Sequence, residues 1–184
     1  GILVYDLSGR QRQFLQGGTP NNIDIRYGFK YQGSRIPLIA VSHWASNTVS
    51  LFSIDTKGRR LVELTSQPLK TGMDHLRGLC LYKSGDQDFY YFVINQEGQV
   101  EQYLLVVHTS GLKVKLVRRF KLSSIAEGCV VDDPNRVVYI SEETSGIWKF
   151  GADPGLAEGK QIAKIGLWGP LKADIEGLTI YSDK

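Results

Sequence analysis

Several features that would point to other kinds of protein are scarce in this sequence. Its 184 residues include two cysteines, one methionine and three histidines without the spacing of a zinc site, and no apolar run is as long as a membrane span. No segment keeps a 3.6-residue apolar period for three turns, so almost nothing indicates a helix. Lys and Arg form no cluster with aromatic residues, and the formal charge is only +3. We therefore expect no nucleic-acid partner, no membrane segment and little helix.

The two cysteines, Cys80 and Cys129, are too few to form a disulfide framework. Aligning Gly78-Leu79-Cys80 with Gly128-Cys129-Val130 leaves them one residue out of register. Because side chains alternate between the two faces of a strand, this offset points the cysteines to opposite faces. We expect two free, buried thiols.

The chain is instead rich in short β-type runs separated by turn residues. Residues 129–131 and 137–140 flank the turn Asp132-Asp133-Pro134-Asn135. This pattern predicts a hairpin, because Pro pre-sets one turn dihedral while Asp and Asn bond their own backbone. Glu127 enters the first strand and Glu142-Glu143 leaves the second, so the hairpin brings these acids to one edge.

Two sequence motifs recur at nearly the same interval. The first is an aromatic strand before a polar turn, and its aromatic residues, 47, 51 and 45 positions apart, are Tyr5, Phe52, Tyr103 and Trp148. The second is a charged residue before Gly and a β-type run, and its starts, 50 and 49 positions apart, are Arg77, Glu127 and Glu176. A shared period of about four short strands is typical of propeller blades. We predict an all-β protein, a β-propeller of four-stranded antiparallel blades.

This period also predicts how the chain is organised. Full blades are expected at about residues 22–66, 77–122 and 127–166, with two outer strands of another blade at 2–16 and an inner strand at 176–181. Residues 1–184 would then be one domain, an arc of about three full blades plus partial ones, incomplete at both ends. Gly1 leads directly into a strand-like run without a Met, so we expect the chain to be cut from a longer protein.

The starts of the inner strands line the channel of a propeller, where residues distant in sequence meet. The residues that this places around one mouth are Asn21, Asn22, Ile23, Asp24, Arg77, Glu127, Glu143, Asp174 and Glu176. Unpaired carboxylates repel one another, and Ca2+, which takes about six to eight oxygen ligands, relieves that repulsion. The residues therefore predict a calcium site. The competing interpretation is that the acids pair with Arg77 or cap loop backbone.

Motifs along essentially the whole chain, in order and at matching spacing, resemble those of the β-propeller phytases, which are six-bladed, calcium-dependent phosphatases of inositol hexakisphosphate. The motifs are Val4-Tyr5-Asp6-Leu7, Asn21-Asn22-Ile23-Asp24-Ile25-Arg26-Tyr27, Gly98 with Glu101-Gln102-Tyr103, Glu127-Gly128, Tyr139-Ile140-Ser141-Glu142-Glu143, Ile147-Trp148-Lys149-Phe150 and Ala173-Asp174-Ile175-Glu176-Gly177-Leu178-Thr179-Ile180-Tyr181. The resemblance marks the chain as a partial or degenerate member of that family.

The resemblance implies a function and roles for individual residues. The calcium ligands would be Asn21, Asn22, Ile23, Glu127, Glu143, Asp174 and Glu176. Of these, Glu127, Glu143 and Glu176 would be the catalytic acids. The substrate would be inositol hexakisphosphate or another phosphomonoester, and the location secreted or periplasmic in a bacterium. An adjacent phytase domain of the same chain would be a partner.

The chain departs from the family's pattern where substrate phosphates would bind. The resemblance calls for Arg at Trp44, a Tyr metal ligand at Arg77 and Lys at Gln96. The substrate-binding candidates that remain are Arg77, His43 and Gln96. Removing one group that stabilises transition-state charge typically costs about 10² to 10³ in rate. We therefore expect weak or no hydrolysis by this chain alone.

Two other functions remain open at this point. One is a non-catalytic module that binds calcium or inositol phosphates, or an accessory domain of a tandem phytase. The other is a calcium-dependent lactonase on a related propeller, which would need Glu, Asn and Asp ligands around one ion and no phosphate-binding groups. Phosphate release from phytate, measured against lactone opening, separates the lactonase from the phytase.

Overall fold

We describe the fold from a computed structural model of the chain, which covers residues 1–85, 87–109, 111–155, 158–167 and 169–181. These residues form fifteen strands, and none of them forms a helix that could cross a membrane. The strands are β1 (Ile2–Tyr5), β2 (Gln11–Leu15), β3 (Pro20–Tyr31), β4 (Ser34–His43), β5 (Thr48–Asp55), β6 (Arg60–Glu63), β7 (Leu69–Lys70), β8 (Leu76–Ser84), β9 (Asp88–Asn95), β10 (Gln99–His108), β11 (Gly111–Lys121), β12 (Ala126–Asp132), β13 (Val137–Glu142), β14 (Gly146–Gly151) and β15 (Gly159–Lys164).

Three antiparallel sheets form the full blades, and the prediction of a β-propeller is confirmed. Blade 1 has the strand order β3-β4-β5-β6 with β7 also paired to β5, blade 2 has β8 to β11, and blade 3 has β12 to β15. Each blade is a meander of strands consecutive in the chain, with the innermost strand first. The blade boundaries lie within four residues of those predicted from the repeat period.

Blade 2 is packed on both of its faces, because alternate residues of its strands point to opposite sides. The core between blades 1 and 2 includes Leu38, Leu51, Leu79, Leu81 and Tyr91. The core between blades 2 and 3 includes Cys80, Tyr82, Phe92, Val131 and Ile140. Burying one large apolar side chain contributes about 1.5–3 kcal/mol, so face-to-face packing holds the arc together.

The expectation of two free thiols is wrong. Cys80 and Cys129 form a disulfide, and the described part of the chain contains no free cysteine. The two side chains do point to opposite faces of equivalent strands, but consecutive blades pack opposite faces against each other. Cys80 on β8 therefore faces blade 3, and Cys129 on β12 faces blade 2, within one shared core. The one-residue offset brings the cysteines together across the blade boundary.

The segments before blade 1 and after blade 3 differ from each other. β1 and β2 pair into a two-stranded sheet, as predicted for residues 2–16, and its Ile2 and Leu15 pack on Phe52 of blade 1. Residues 176–181 do not form the predicted inner strand. A strand is defined by backbone hydrogen bonds to a neighbour, and the described residues place no strand beside this segment.

Candidate functional site

The inner strands of the three blades begin side by side at one mouth of the channel. The side-chain amide of Asn21 on β3 donates to the carbonyl oxygen of Arg77 on β8, at 2.6 Å. A Cβ added at Gly78 would lie 2.1 Å from the carbonyl oxygen of Glu127 on β12, so the close approach of these strands requires glycine. Residues that are about 50 positions apart in the chain therefore become neighbours around the channel.

Two hydrogen bonds fix the segment that carries Asp174 and Glu176 to blade 3. The backbone N–H of Asp174 donates to the carbonyl oxygen of Glu143 at 2.9 Å. The buried hydroxyl of Ser141 donates to the carbonyl oxygen of Glu176 at 2.5 Å. A Cβ added at Gly128 would lie 2.0 Å from that same oxygen, so Gly128 also has no room for a side chain.

The β12–β13 hairpin supplies the other two acids of the site. The hairpin is confirmed, with Ala126 opposite Glu142 at its open end. The backbone N–H of Glu143 donates to the carbonyl oxygen of Ile125 at 2.9 Å and extends the pairing beyond the strands. Glu127, at the start of β12, and Glu143, just past the end of β13, therefore share the open end of the hairpin.

The environment of Glu143 reveals that the four carboxylates interact. Burial raises the pKa of Glu143, and the negative charges of Glu127, Asp174 and Glu176 raise it further. Arg77 opposes this rise and is the smallest of the contributions. We call these four acids the acid cluster. Four carboxylates facing one guanidinium carry excess negative charge, which favours a bound cation.

Arg77 is the positively charged residue beside the acid cluster. Its Nε lies 3.4 Å from a carboxylate oxygen of Glu127, with 36% and 28% of the two side chains exposed. Its Nη2 donates to the side-chain amide oxygen of Gln96 at 3.2 Å. Two of the three substrate-binding candidates are thus in contact at the mouth.

The donor atoms of the site suit calcium, but the described side chains do not form a closed ligand cage. Among residues 1–85, 87–109, 111–155, 158–167 and 169–181, no group of three or more His, Cys, Asp or Glu residues could hold a metal ion. The side-chain oxygen of Asn22 accepts the backbone N–H of Ile23 at 3.1 Å, and the amide nitrogen of Asn21 is bonded to Arg77. The oxygen donors and the negative charge fit a hard cation, and the ligands would have to draw closer to bind it.

Comparison with known protein families identifies the family of this chain. A family model described as Phytase matches residues 1–184. The chain belongs to the phytase family. It is 39% identical over 187 residues to the 3-phytase of Bacillus subtilis (strain 168), and the match covers 98% of this chain and 49% of that protein. The chain therefore spans about half the length of this curated relative.

Solved structures share the fold of this phytase-family chain. A functionally unknown protein from Desulfotomaculum acetoxidans DSM 771 superposes with a TM-score of 0.62 at 17% identity, over 85% of this chain and 47% of that one. The WD40 domain of SCAP from fission yeast gives a TM-score of 0.56 at 14% identity, over 89% of this chain and 39% of that one. At these identities the likeness concerns the fold alone.

Two acids adjacent in this phytase-family sequence have different surroundings. Glu142 is fully buried, and its carboxylate accepts hydrogen bonds from Ser123, Ser124 and Trp148. Burial acts to raise the pKa of Glu142, but these hydrogen bonds outweigh it and the pKa is lowered. Glu142 therefore stabilises the hairpin end from within, while its neighbour Glu143 belongs to the acid cluster.

The structure does not place His43 with Arg77 and Gln96. His43 lies at the end of β4 with 7% of its surface exposed, its Nε2 is 3.0 Å from the hydroxyl oxygen of Ser50, and Gly18 lies against the ring. Burial lowers the pKa of His43 and favours the neutral imidazole. A buried, neutral ring gives a phosphate no positive charge to bind.

Asp24 was expected at the mouth but points into a different contact. Its carboxylate accepts the backbone N–H of Leu81 at 2.8 Å and pairs with Arg26, which also pairs with Asp133. These contacts join the three blades near the ends of their inner strands that lie away from the acid cluster. Sequence reasoning missed them, and missed the anchoring role of Ser141, because no local pattern shows which residues of other blades these side chains meet.

Proposed function

We propose that this chain is a phytase-like, calcium-dependent phosphomonoester hydrolase domain acting on inositol hexakisphosphate. The observation that carries the proposal is a grouping of acids in a phytase-family chain: Glu127 and Glu143 share the open end of the β12–β13 hairpin, and hydrogen bonds hold the segment of Asp174 and Glu176 against it. Their negative charges raise the pKa of Glu143. Carboxylates that repel one another in this way favour a divalent cation. The proposed calcium ligands are Asn21, Asn22, Ile23, Glu127, Glu143, Asp174 and Glu176.

The proposed catalytic roles follow from charge and position. Calcium, when bound, would neutralise the carboxylates and polarise a phosphate group for attack by water. Glu127, Glu143 and Glu176 are the acids proposed to hold it. Arg77 offers a planar set of N–H donors that suits phosphate oxygens, and Gln96 offers a neutral amide beside it.

Hydrolysis by this chain alone is proposed to be weak or absent. Gln96 is neutral and His43 is buried, so two of the three substrate-binding candidates add no accessible positive charge. One missing transition-state charge typically costs about 10² to 10³ in rate. The remaining cation, Arg77, is already paired with Glu127.

Calcium binding is tested by thermal unfolding in calcium and in EDTA. A ligand that binds only the folded state stabilises it by about 2.7 kcal/mol at a hundredfold excess over its Kd, so millimolar calcium should raise the Tm. Glu127→Gln should reduce that rise. Glu63→Gln, on the exposed outer strand of blade 1, is the matched control and should keep it. Identical melting of the unmodified chain in calcium and in EDTA would refute the calcium site.

Catalysis is tested by phosphate release from inositol hexakisphosphate. The unmodified chain should stay far below the turnover of ordinary enzymes, about 1 to 10³ per second. Gln96→Lys places a cation beside Arg77 and should increase both substrate binding and rate, because such a charge contacts the substrate before and during transfer. Gln11→Lys, at an exposed position of β2, adds the same charge at another sheet and should leave both unchanged. Turnover within that ordinary range by the unmodified chain would contradict the expectation.

A non-catalytic function is the second candidate, and the contact between Arg77 and Glu127 favours it. A guanidinium that neutralises one proposed ligand reduces the charge available to calcium. In that case the chain would bind calcium or inositol phosphates without turnover, as an accessory unit beside another phytase domain. Isothermal titration that detects hexakisphosphate binding, together with no phosphate release over hours, would select this function.

A secreted or periplasmic location completes the proposal. Disulfides persist in oxidising compartments and are rare in the cytosol, so the Cys80–Cys129 bond supports export. Fractionation of the source cells should therefore recover the protein outside the cytoplasm. Recovery only from the cytosol, with both thiols reduced, would contradict this location.

A further inference from the structure

We infer that Arg77 is a displaceable counter-ion of the acid cluster: calcium releases its guanidinium from Glu127 and frees it to bind a phosphomonoester. The inference rests on the proposed function and adds a coupling between the two ligands of that site. Calcium would take the carboxylate of Glu127, and the phosphomonoester would take the guanidinium of Arg77 that this releases.

The contacts of Arg77 are of the kind that exchange easily. Its Nε is buried and makes no hydrogen bond to the described residues, so the 3.4 Å approach to Glu127 is an electrostatic contact alone. Its Nη2 donates to Gln96, which is neutral and exposed. Ion pairs between side chains as exposed as Arg77 and Glu127 are weak.

Release requires movement of the side chain only. The carbonyl oxygen of Arg77 is held by the amide of Asn21, and the next residue, Gly78, lies directly against the backbone of Glu127. The backbone position is therefore set by the packing of the inner strands. The long side chain can change rotamer while β8 stays in place.

The chemistry of the two ligands makes the exchange directional. Calcium and the guanidinium can each bind the carboxylate of Glu127, and their positive charges repel each other. Binding of calcium therefore disfavours the contact between Arg77 and Glu127. A freed guanidinium is a planar group that can bind two phosphate oxygens at once. By thermodynamic linkage, a phosphomonoester that draws Arg77 away from Glu127 must strengthen calcium binding by the same factor.

The first measurement is calcium affinity, by titrating CaCl2 into the 184-residue chain and into Arg77→Gln at constant ionic strength. Arg77→Gln should bind calcium more tightly, by up to about fivefold, the factor that corresponds to loss of a weak exposed ion pair. Arg12→Gln is the matched control. Arg12 pairs with Asp6 on β1–β2 at 3.1 Å, with 34% and 26% of the side chains exposed, and its loss removes the same charge away from the mouth.

The second measurement follows the guanidinium itself. The 15N resonance of Arg77 Nε should move as calcium saturates the protein, while that of Arg12 stays in place. At saturating calcium, phenyl phosphate should bind Arg77→Gln about tenfold more weakly than the unmodified chain, as expected for a lost hydrogen bond to a charged group. Circular dichroism establishes that each variant is folded, and Arg77→Lys, which keeps the charge, should bind calcium much as the unmodified chain does.

The outcomes separate this inference from the function on which it rests. The counter-ion role of Arg77 is wrong if the unmodified chain and Arg77→Gln bind calcium equally, or if calcium does not move the Arg77 Nε resonance. Either result would leave the proposed calcium site unaffected. Absence of calcium binding by the unmodified chain and by all variants overturns the proposed calcium site, and the counter-ion with it.

Discussion

Removal of the disulfide between blades 2 and 3 gives a quantitative test of the blade packing. Cys80 and Cys129 are separated by 49 residues, and both are buried in the core between the two blades. On the chain-entropy account, cross-linking a loop of this length stabilises the folded state by about 4 kcal/mol. Because the net stability of a domain is about 5–15 kcal/mol, this loss should be large and easily measured.

The assay is urea unfolding of the double variant Cys80→Ala/Cys129→Ala, with the unmodified chain in reducing buffer as the control. The reduced chain keeps both sulfur atoms, so its loss of stability reports the cross-link without the smaller side chains. Both should unfold at clearly lower urea than the oxidised chain, with the free energy of unfolding reduced by about 4 kcal/mol. A change below about 1 kcal/mol in both would refute the view that opposite faces of consecutive blades meet at these cysteines.

Two further predictions concern the site. Because the pKa of Glu143 is raised in the folded protein, its ionisation destabilises the fold as pH rises from the unfolded-state value through the raised one. In EDTA, Glu143→Gln should therefore have a higher Tm than the unmodified chain at pH 7 and the same Tm at pH 4. In calcium at pH 7, the unmodified chain should have the higher Tm. Parallel curves of Tm against pH for the two proteins in EDTA would contradict this. Gly128→Ala should cost about 1–3 kcal/mol by urea unfolding, because its Cβ would lie 2.0 Å from the carbonyl oxygen of Glu176; an unchanged midpoint would argue against this backbone contact.

Much of the fold could be predicted because each blade is built from strands that are consecutive in the chain. The period shared by the two repeated motifs located blades 1 to 3 within four residues at each boundary. The β12–β13 hairpin was predictable because Pro134 and its Asp and Asn neighbours specify a turn locally. Membership of the phytase family, inferred from the motifs, is confirmed over residues 1–184.

The candidate site was less accessible to sequence reasoning, because its contacts join different blades. The period indicated that Arg77 and Glu127 begin neighbouring inner strands, but not that their side chains are 3.4 Å apart. The period also did not indicate that the adjacent residues Glu142 and Glu143 have different environments. Glu142 is buried and hydrogen-bonded inside the protein, whereas Glu143 belongs to the acid cluster. His43 was a substrate-binding candidate by sequence position, and burial beside Ser50 was visible only in three dimensions.

The strands of blades 1 to 3, their turns and the blade period were determined by the sequence alone, because alternation, turn chemistry and repetition act between residues close in the chain. Residues 176–181 form no strand, because a strand also needs a neighbouring strand to pair with. Tertiary structure alone decided which faces of consecutive blades meet. The one-residue offset points Cys80 and Cys129 to opposite faces of their strands. Because opposite faces of consecutive blades meet, the offset brings the two cysteines together and they form a disulfide. Tertiary structure also brought Arg77 to Glu127, because a side-chain contact depends on the relative placement of strands about 50 residues apart, which no local pattern contains.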